Sequence, residues 1–484
     1  MHIVFAASEC KPWARTGGLA DVVGSLPPTL VSMGHQVTTY VPYFRSVARA
    51  LPNLPVVLPS VTIPFSGYQR FARVLDGGVH KGVQLHLVDC PEMFDREGFY
   101  GTPGGDYPDN WERFALFSRA VIEASKVLGV PDVFHAHDWE AGLLPIFLRS
   151  LYYFDPLLRR VPSVFTIHNA EYQGRCPADV MPQLLLPWSM YTPESLEAYG
   201  SVNLLKGGVV YADALTTVSP RYAEEIQTPE FGASLDGILR TRRDDLTGIL
   251  NGVDYTEWDP ARDALIAAHY SADSLAGKQE CRRDLLHAVS LDHVKDGTAV
   301  LGLVSRFAVQ KGLDLVAAII DDLLQEDVVL IACGTGEEYY ERLMTDIANR
   351  HPERVRVITK FDDLSAHKIE AGSDIFLMPS RYEPGGLNQL YSLRYGTVPV
   401  VHATGGLDDT VTELPNGLGN GYKFQDATAE QLLAAVLRAL TDFRNPELWR
   451  AKMQRGMRED FSWTASAEQY LEVYRRVIER RAAL

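Results

Sequence analysis

Cysteine is scarce in this 484-residue sequence: five residues (Cys10, Cys90, Cys176, Cys281 and Cys333), odd in number, dispersed and never in a C-x-x-C pair. That pattern suggests neither a disulfide framework nor a cysteine zinc site, and it fits a reducing compartment. Long apolar runs are missing too, so no membrane-spanning helix is expected. The opening run, residues 2–7, is an apolar strand pattern rather than a basic leader followed by an apolar stretch. The expectation is a cytoplasmic protein of the bacterial cytosol, although a mature plastid protein stripped of its transit peptide reads the same way. Positive charge is short: 46 Lys and Arg against 62 Asp and Glu leave a formal net charge of -16. Such a surface argues against nucleic acid or anionic membrane as a partner. An anionic small ligand would have to be met by cations and backbone N–H groups gathered locally, whereas a neutral polysaccharide meets no such conflict.

The length argues for two or more domains. Short β-branched apolar runs alternate with stretches of helical period, the mark of parallel sheets covered by helices. In the first half, strands are expected at 2–7, 36–41, 83–88, 133–136, 163–167 and 214–218, with a helix at 110–128. The second half repeats the scheme at 299–305, 328–333, 355–358, 375–378 and 398–401. The fold class is therefore α/β, with two doubly wound Rossmann-like domains facing across a cleft. The boundary is expected near residues 247–260, where a strand-like Gly-Ile-Leu meets the turn-rich Asn251-Gly-Val-Asp254. This divides the chain into 1–246, 247–462 and a C-terminal helix, 463–484, that returns to the first domain.

Glycine and charge gather at the ends of these strands, where open parallel sheets bind ligands. Arg15-Thr16-Gly17-Gly18-Leu19-Ala20-Asp21 leads into a helix and suits an anion, or serves as plain turn chemistry. Arg306 and Lys311 follow the strand at 299–305, a pair able to clamp a diphosphate. Cys333-Gly334-Thr335-Gly336 is a weaker backbone nest or a structural turn. In Pro379-Ser380-Arg381-Tyr382-Glu383-Pro384-Gly385-Gly386-Leu387, a carboxylate stands at a strand end and can hold sugar hydroxyls or stabilise positive charge at an anomeric carbon. Its bland reading is an acid complementing a helix dipole. Thr404-Gly405-Gly406 offers further amides. His135-Ala-His137-Asp138-Trp139 and His168-Asn169 suit sugar. A metal shared by His135 and His137 is not expected, on the reading that the two side chains point to opposite faces of their strand. The Asp-x-Asp pattern that holds a divalent cation in many sugar-nucleotide enzymes is absent, so protein cations must meet phosphate charge and no metal or other cofactor is expected.

Together these segments resemble the bacterial glycogen synthase and plastid starch synthase family along nearly the whole chain. T-G-G-L-A-D-V-V-G-x-L-P, H-D-W, H-N, N-G-V-D-x-x-x-W-x-P, S-R-x-x-x-Q-K-G-L, P-S-R-x-E-P-x-G-L-x-Q-L-Y and T-G-G-L-x-D-T-V occur in the family's order. The resemblance implies a GT-B-type fold and retaining, metal-independent transfer of glucose from ADP-glucose or UDP-glucose to the non-reducing 4-hydroxyl of glycogen or another α-1,4-glucan. It implies catalytic roles for Glu383, Lys311, Arg306 and His168. It places the donor on Arg15, Gly17, Gly18, Asp21, Phe361, Gly385, Gly386, Leu387, Thr404, Gly405 and Gly406, and sugar or acceptor on Asp138, Trp139, Asn169 and Asn251. Two positions depart from the family's commonest pattern: Arg15 stands where Lys is usual, and Gly385 where bacterial relatives often carry Cys. Tyr391 replaces the second Glu of broader retaining relatives, as the synthases commonly have it. The alternatives are a retaining glucosyltransferase with another acceptor, or a non-catalytic glucan-binding regulator. An oxidoreductase lacks its G-x-G-x-x-G turn, and a glucan phosphorylase its pyridoxal-phosphate lysine.

Overall fold

The computed structural model describes residues 1–102, 104–360 and 362–483, apart from the side chain of Asn416. Phe361, expected against the nucleobase, lies outside the described residues. The chain forms two compact units, Met1–Leu250 with Trp463–Leu484, and Asn251–Ser462. The first unit runs past residue 246 because Leu246–Gly248 pairs in register with Leu215–Thr217 at the end of its sheet.

The first unit holds a nine-stranded sheet in the order Leu246–Gly248, Ala214–Thr217, Ser163–Ile167, Val133–His137, His2–Ala6, Gln36–Pro42, Val83–Asp89, Tyr68–His80, Val56–Phe65. From Leu246–Gly248 through Val83–Asp89 every pairing is parallel. The strands are buried and β-branched, as central parallel strands must be. The antiparallel hairpin of Val56–Phe65 and Tyr68–His80 escapes the sequence reading. Pro59 and Pro64 interrupt its first strand, and that strand lies at the sheet edge, where a missing N–H does no harm.

The C-terminal helix Trp463–Ala482 buries Trp463, Ala467, Tyr470, Leu471, Tyr474 and Val477, a stripe of helical period. They pack with Ile3, Phe5, Leu26, Leu30, Val164 and Ala214 of the first unit. Burial of each large apolar side chain contributes about 1.5–3 kcal/mol, enough to draw the helix back across more than 200 residues of intervening chain.

The second unit carries a six-stranded parallel sheet in the order Val355–Ile358, Val328–Cys333, Ala299–Val304, Ile375–Met378, Val398–His402, Tyr422–Phe424. In the second sheet the chain builds outward from Ala299–Val304 in one direction, then restarts on its other side; in the first, Gln36–Pro42 lies beside His2–Ala6, the edge hairpin runs back inward to Val83–Asp89, and the chain then restarts on the other side of His2–Ala6. The switch points lie between His2–Ala6 and Val133–His137, and between Ala299–Val304 and Ile375–Met378. The loops leaving those strands diverge and leave a crevice at their carboxyl ends. No described helix is long and apolar enough to cross a membrane.

Candidate active site

The second switch point joins two motifs that are far apart in sequence. Lys311, leaving the strand Ala299–Val304, places Nζ 2.6 Å from Oε2 of Glu383, which follows the strand Ile375–Met378. The Ser380 hydroxyl donates to the same carboxylate oxygen at 2.9 Å. Backbone contacts set the approach. Arg381 N donates to Gln310 O at 2.8 Å, and Gln310 Nε2 donates to Tyr382 O at 3.0 Å. Gly312 adopts a left-handed φ of +65°, and a Cβ there would overlap the Pro379 carbonyl oxygen. Glycine at this position is a condition for the Lys311–Glu383 contact. Arg306 is exposed at the same strand end and forms no ion pair among the described residues.

The glycine-rich segments on either side turn out to be packing devices. A Cβ on Gly405 (φ +45°) would overlap Glu383 O, and one on Gly406 would overlap Gly385 O. Gly406 N donates to Glu383 O and Pro384 O, each at 3.1 Å. Thr404-Gly405-Gly406 is thus the floor under Glu383-Pro384-Gly385. Thr404 is buried, and Leu387 is half-buried against the core. Gly386 is left-handed (φ +63°) before the helix Asn388–Arg394. Cys333-Gly334-Thr335-Gly336 serves the neighbouring loop: Phe307 N donates to Thr335 O at 3.0 Å, and Glu337 N to Phe307 O at 2.7 Å. Sequence reasoning gave no part to Ser380, Gln310 or His402, whose Nδ1 lies 2.8 Å from Ser380 O. The partners of Gln310 and His402 are distant in sequence, so no local signal marks them, whereas Ser380 stands three residues before its partner Glu383 in the same motif.

The first switch point, in the other unit, assembles a separate polar cluster. Asp138 takes a left-handed φ of 54° and accepts the His168 amide at 2.7 Å. Such a conformation costs about 1–3 kcal/mol outside glycine and persists where surrounding contacts enforce it. Burial pushes the Asp138 carboxyl up to about 7, against the pull of the His168 and Asn169 amides. His168 Nε2 lies 3.0 Å from His137 Nδ1, and burial lowers the His168 pKa to about 3, so the imidazole is neutral at pH 7. Asn169 Oδ1 accepts Glu171 N at 3.0 Å, fixing the turn that follows. Arg15 and Lys11 both reach Asp21, at 3.6 and 3.7 Å. Gly17 and Gly18 are exposed, with open space where a Cβ would stand.

Three expectations change. His135 and His137 lie on the same face of their strand, ring centroids 4.0 Å apart, because residues two apart in a strand share a face. Both nitrogens of His135 are occupied, by Thr166 Oγ1 at 2.6 Å and the Tyr474 hydroxyl at 2.8 Å. No group of three or more His, Cys, Asp or Glu able to hold a metal occurs among the described residues. Trp139 is only 7% exposed and its ring meets Phe114 and Tyr100, so it serves the core rather than a surface. The amide of Gly17 donates to Glu9 Oε2 at 3.1 Å and is therefore not offered to a ligand. Asn251, grouped with the acceptor residues, opens the second unit; it is buried, and its Oδ1 has no hydrogen-bond partner among the described residues.

The model of the starch synthase catalytic domain matches residues 2–241, and that of glycosyl transferases group 1 matches residues 292–455. A glycogen synthase of Koribacter versatilis is 51% identical over 486 residues, covering all of both chains. The chain belongs to the glycogen and starch synthase family. A glycogen synthase of Anaeromyxobacter dehalogenans is 46% identical, covering 98% of this chain and 99% of its own. Among solved structures, the catalytic domain of starch synthase IV from Arabidopsis thaliana, bound to ADP and acarbose, is 31% identical with a TM-score of 0.90, covering 99% of each chain. The chain is accordingly a glucosyltransferase with the GT-B-type pair of Rossmann-like domains.

Proposed function

We propose that this glucosyltransferase moves glucose from ADP-glucose, with retention, to the non-reducing 4-hydroxyl of an α-1,4-glucan such as glycogen, in the cytoplasm and without a metal. The observation that carries the reading is the Lys311–Glu383 pair, 2.6 Å apart and only 15% and 10% exposed, at the switch point where an α/β sheet binds its ligand. A nucleotide-sugar ligand is supported by the ADP held in the Arabidopsis relative. ADP-glucose is preferred to UDP-glucose on the same ground.

In this reading the second unit is the nucleotide-sugar side and the first the acceptor side. Lys311 and Arg306 take the donor diphosphate, the former exchanging part of its contact with Glu383 for phosphate oxygen. Their fixed charge stabilises the leaving group as the anomeric C1–O bond breaks. Glu383, held by Ser380, faces the positive charge that develops on the sugar ring. The acceptor oxygen bonds to C1 on the face the diphosphate leaves, and its proton passes to a diphosphate oxygen. Neutral His168 together with Asp138 and Asn169 supplies hydrogen bonds to sugar hydroxyls. Arg15 and the first amides of the helix Gly18–Ser32, which have no intrahelical acceptor, meet phosphate. Gly385, Gly386 and Leu387 line the donor site above Thr404, Gly405 and Gly406.

The test offers labelled ADP-glucose and UDP-glucose in parallel with glycogen, then digests the product with an α-1,4-specific glucanase. Label released as maltose from the ADP-glucose reaction is the expected result. Label entering glycogen from neither donor contradicts the assignment.

A further inference from the structure

The first unit contains an anion that the sugar-transfer chemistry does not use. Glu9 follows the strand His2–Ala6 and is 4% exposed. One carboxylate oxygen, Oε2, accepts the backbone amides of Thr16 at 2.6 Å and Gly17 at 3.1 Å. The other, Oε1, accepts the Thr16 hydroxyl and, at 2.8 Å, the hydroxyl of Tyr100, which also lies 2.8 Å from Ser8 Oγ. Four donors therefore converge on one side chain, close to all a carboxylate can accept. Three of them belong to Thr16 and Gly17.

Those residues need such a tether. Gly17 is the N-cap of the helix Gly18–Ser32 and has no side chain of its own to cap it. Thr16, Gly17 and Gly18 are exposed, and no side chain packs where the Cβ of either glycine would stand. A stretch with two glycines and no packing has high conformational entropy, so its geometry must be imposed by hydrogen bonds. A carboxylate supplies two oxygens with about four acceptor sites on one side chain, enough to hold these donors together.

We infer that Glu9 is a positioning residue: it fixes the Thr16–Gly17 backbone so that Arg15 and the amides of Gly18 and Leu19 stand ready for the donor's phosphates. This rests on the proposed reading that the 15–18 loop meets the donor. Glu9 touches no reacting atom in this role, and what matters is the reach of its carboxylate, not its charge. A bare negative charge near a phosphate site would weaken donor binding.

Glu9→Asp separates the two. It keeps the charge but withdraws the carboxylate by about 1.5 Å, one carbon–carbon bond, taking the Thr16 and Gly17 amides beyond hydrogen-bond range. Glu9→Gln removes the charge and keeps the reach: its amide oxygen can still accept from Thr16. Arg15→Ala, measured alongside, tests the loop itself. With folding checked by thermal melting, donor KM and kcat are measured for the full-length protein with ADP-glucose and glycogen. Glu9→Asp is expected to raise donor KM about tenfold with kcat within about threefold, since interactions made equally in ground and transition states appear in KM. Glu9→Gln should raise it less. Donor KM within about twofold of the unaltered protein in Glu9→Asp, with Arg15→Ala raised, overturns the role of Glu9 while leaving the loop's. Unchanged KM in both variants overturns the loop reading as well. A Glu9→Gln variant worse than Glu9→Asp would show that charge, not reach, is what counts, and also defeats the inference.

Discussion

Replacing Lys311 by Ala should cost stability and rate together, and a second substitution should separate them. The ammonium and the Glu383 carboxylate are 2.6 Å apart, with side-chain exposures of 15% and 10%. At such a separation and an effective dielectric of about 20, the Coulomb attraction is of order 5 kcal/mol. Desolvation of the two ions offsets most of it, leaving a net cost of about 1–3 kcal/mol for removing one partner, above the 0–1 kcal/mol of an exposed pair. Among the described residues the stranded carboxylate retains only the Ser380 hydroxyl, at 2.9 Å. Glu383→Gln on the Lys311→Ala background removes that charge and should return about 1–2 kcal/mol. It returns no activity. In the proposed mechanism Lys311 neutralises the departing diphosphate, so its loss should lower kcat by about 10²–10³. Denaturant midpoints of the unaltered protein, both single variants and the double variant give the stability cycle. Label incorporation into glycogen gives the rates. A double variant no more stable than Lys311→Ala refutes the electrostatic account of the pair; a Lys311→Ala variant within about tenfold of normal turnover refutes its catalytic one.

Other residues give sharper local tests. Gly312→Ala puts a Cβ against the Pro379 carbonyl at a φ of +65°, so it should lose about 2 kcal/mol or more by denaturant titration and lower kcat by displacing Lys311. Tyr474→Phe removes the hydroxyl 2.8 Å from His135 Nδ1 and should cost about 1 kcal/mol in the first unit, measured the same way. The Asp138 carboxyl is raised to about 7 from an ordinary 3.8. The unfolded chain therefore releases this proton more readily, and the contribution of the group to stability falls as pH rises from about 4 to about 7. Asp138→Asn should accordingly raise the melting temperature most at pH 8, with the gain fading toward pH 4, while transfer activity drops. A gain that is independent of pH contradicts the raised pKa.

The duplicated α/β pattern was legible because buried parallel strands must be apolar and continuous, and their spacing is a local property. Glycine-rich strand ends were legible for the same reason. Which of those glycines serve ligand and which serve packing was not: Gly405 and Gly406 are required by the carbonyls of Glu383 and Gly385, some twenty residues earlier. The edge hairpin of Val56–Phe65 and Tyr68–His80 was hidden by its prolines. Trp139, although beside a polar strand end in sequence, is turned into the core with Phe114, a partner only the fold supplies. Glu9 carries no motif of its own, since its importance comes from donors at Thr16, Gly17 and Tyr100.

The central claim is that fixed protein cations beside Glu383, rather than a metal, accept the departing diphosphate. It is tested most directly by the rate of glucose transfer from ADP-glucose to glycogen with excess chelator present, in the unaltered protein and in an Arg306→Ala, Lys311→Ala double variant. The account predicts that the unaltered protein keeps its full rate in chelator and that the double variant falls by about a thousandfold or more while remaining folded. Collapse of the unaltered rate in chelator, or a double variant that transfers glucose at a near-normal rate, contradicts it.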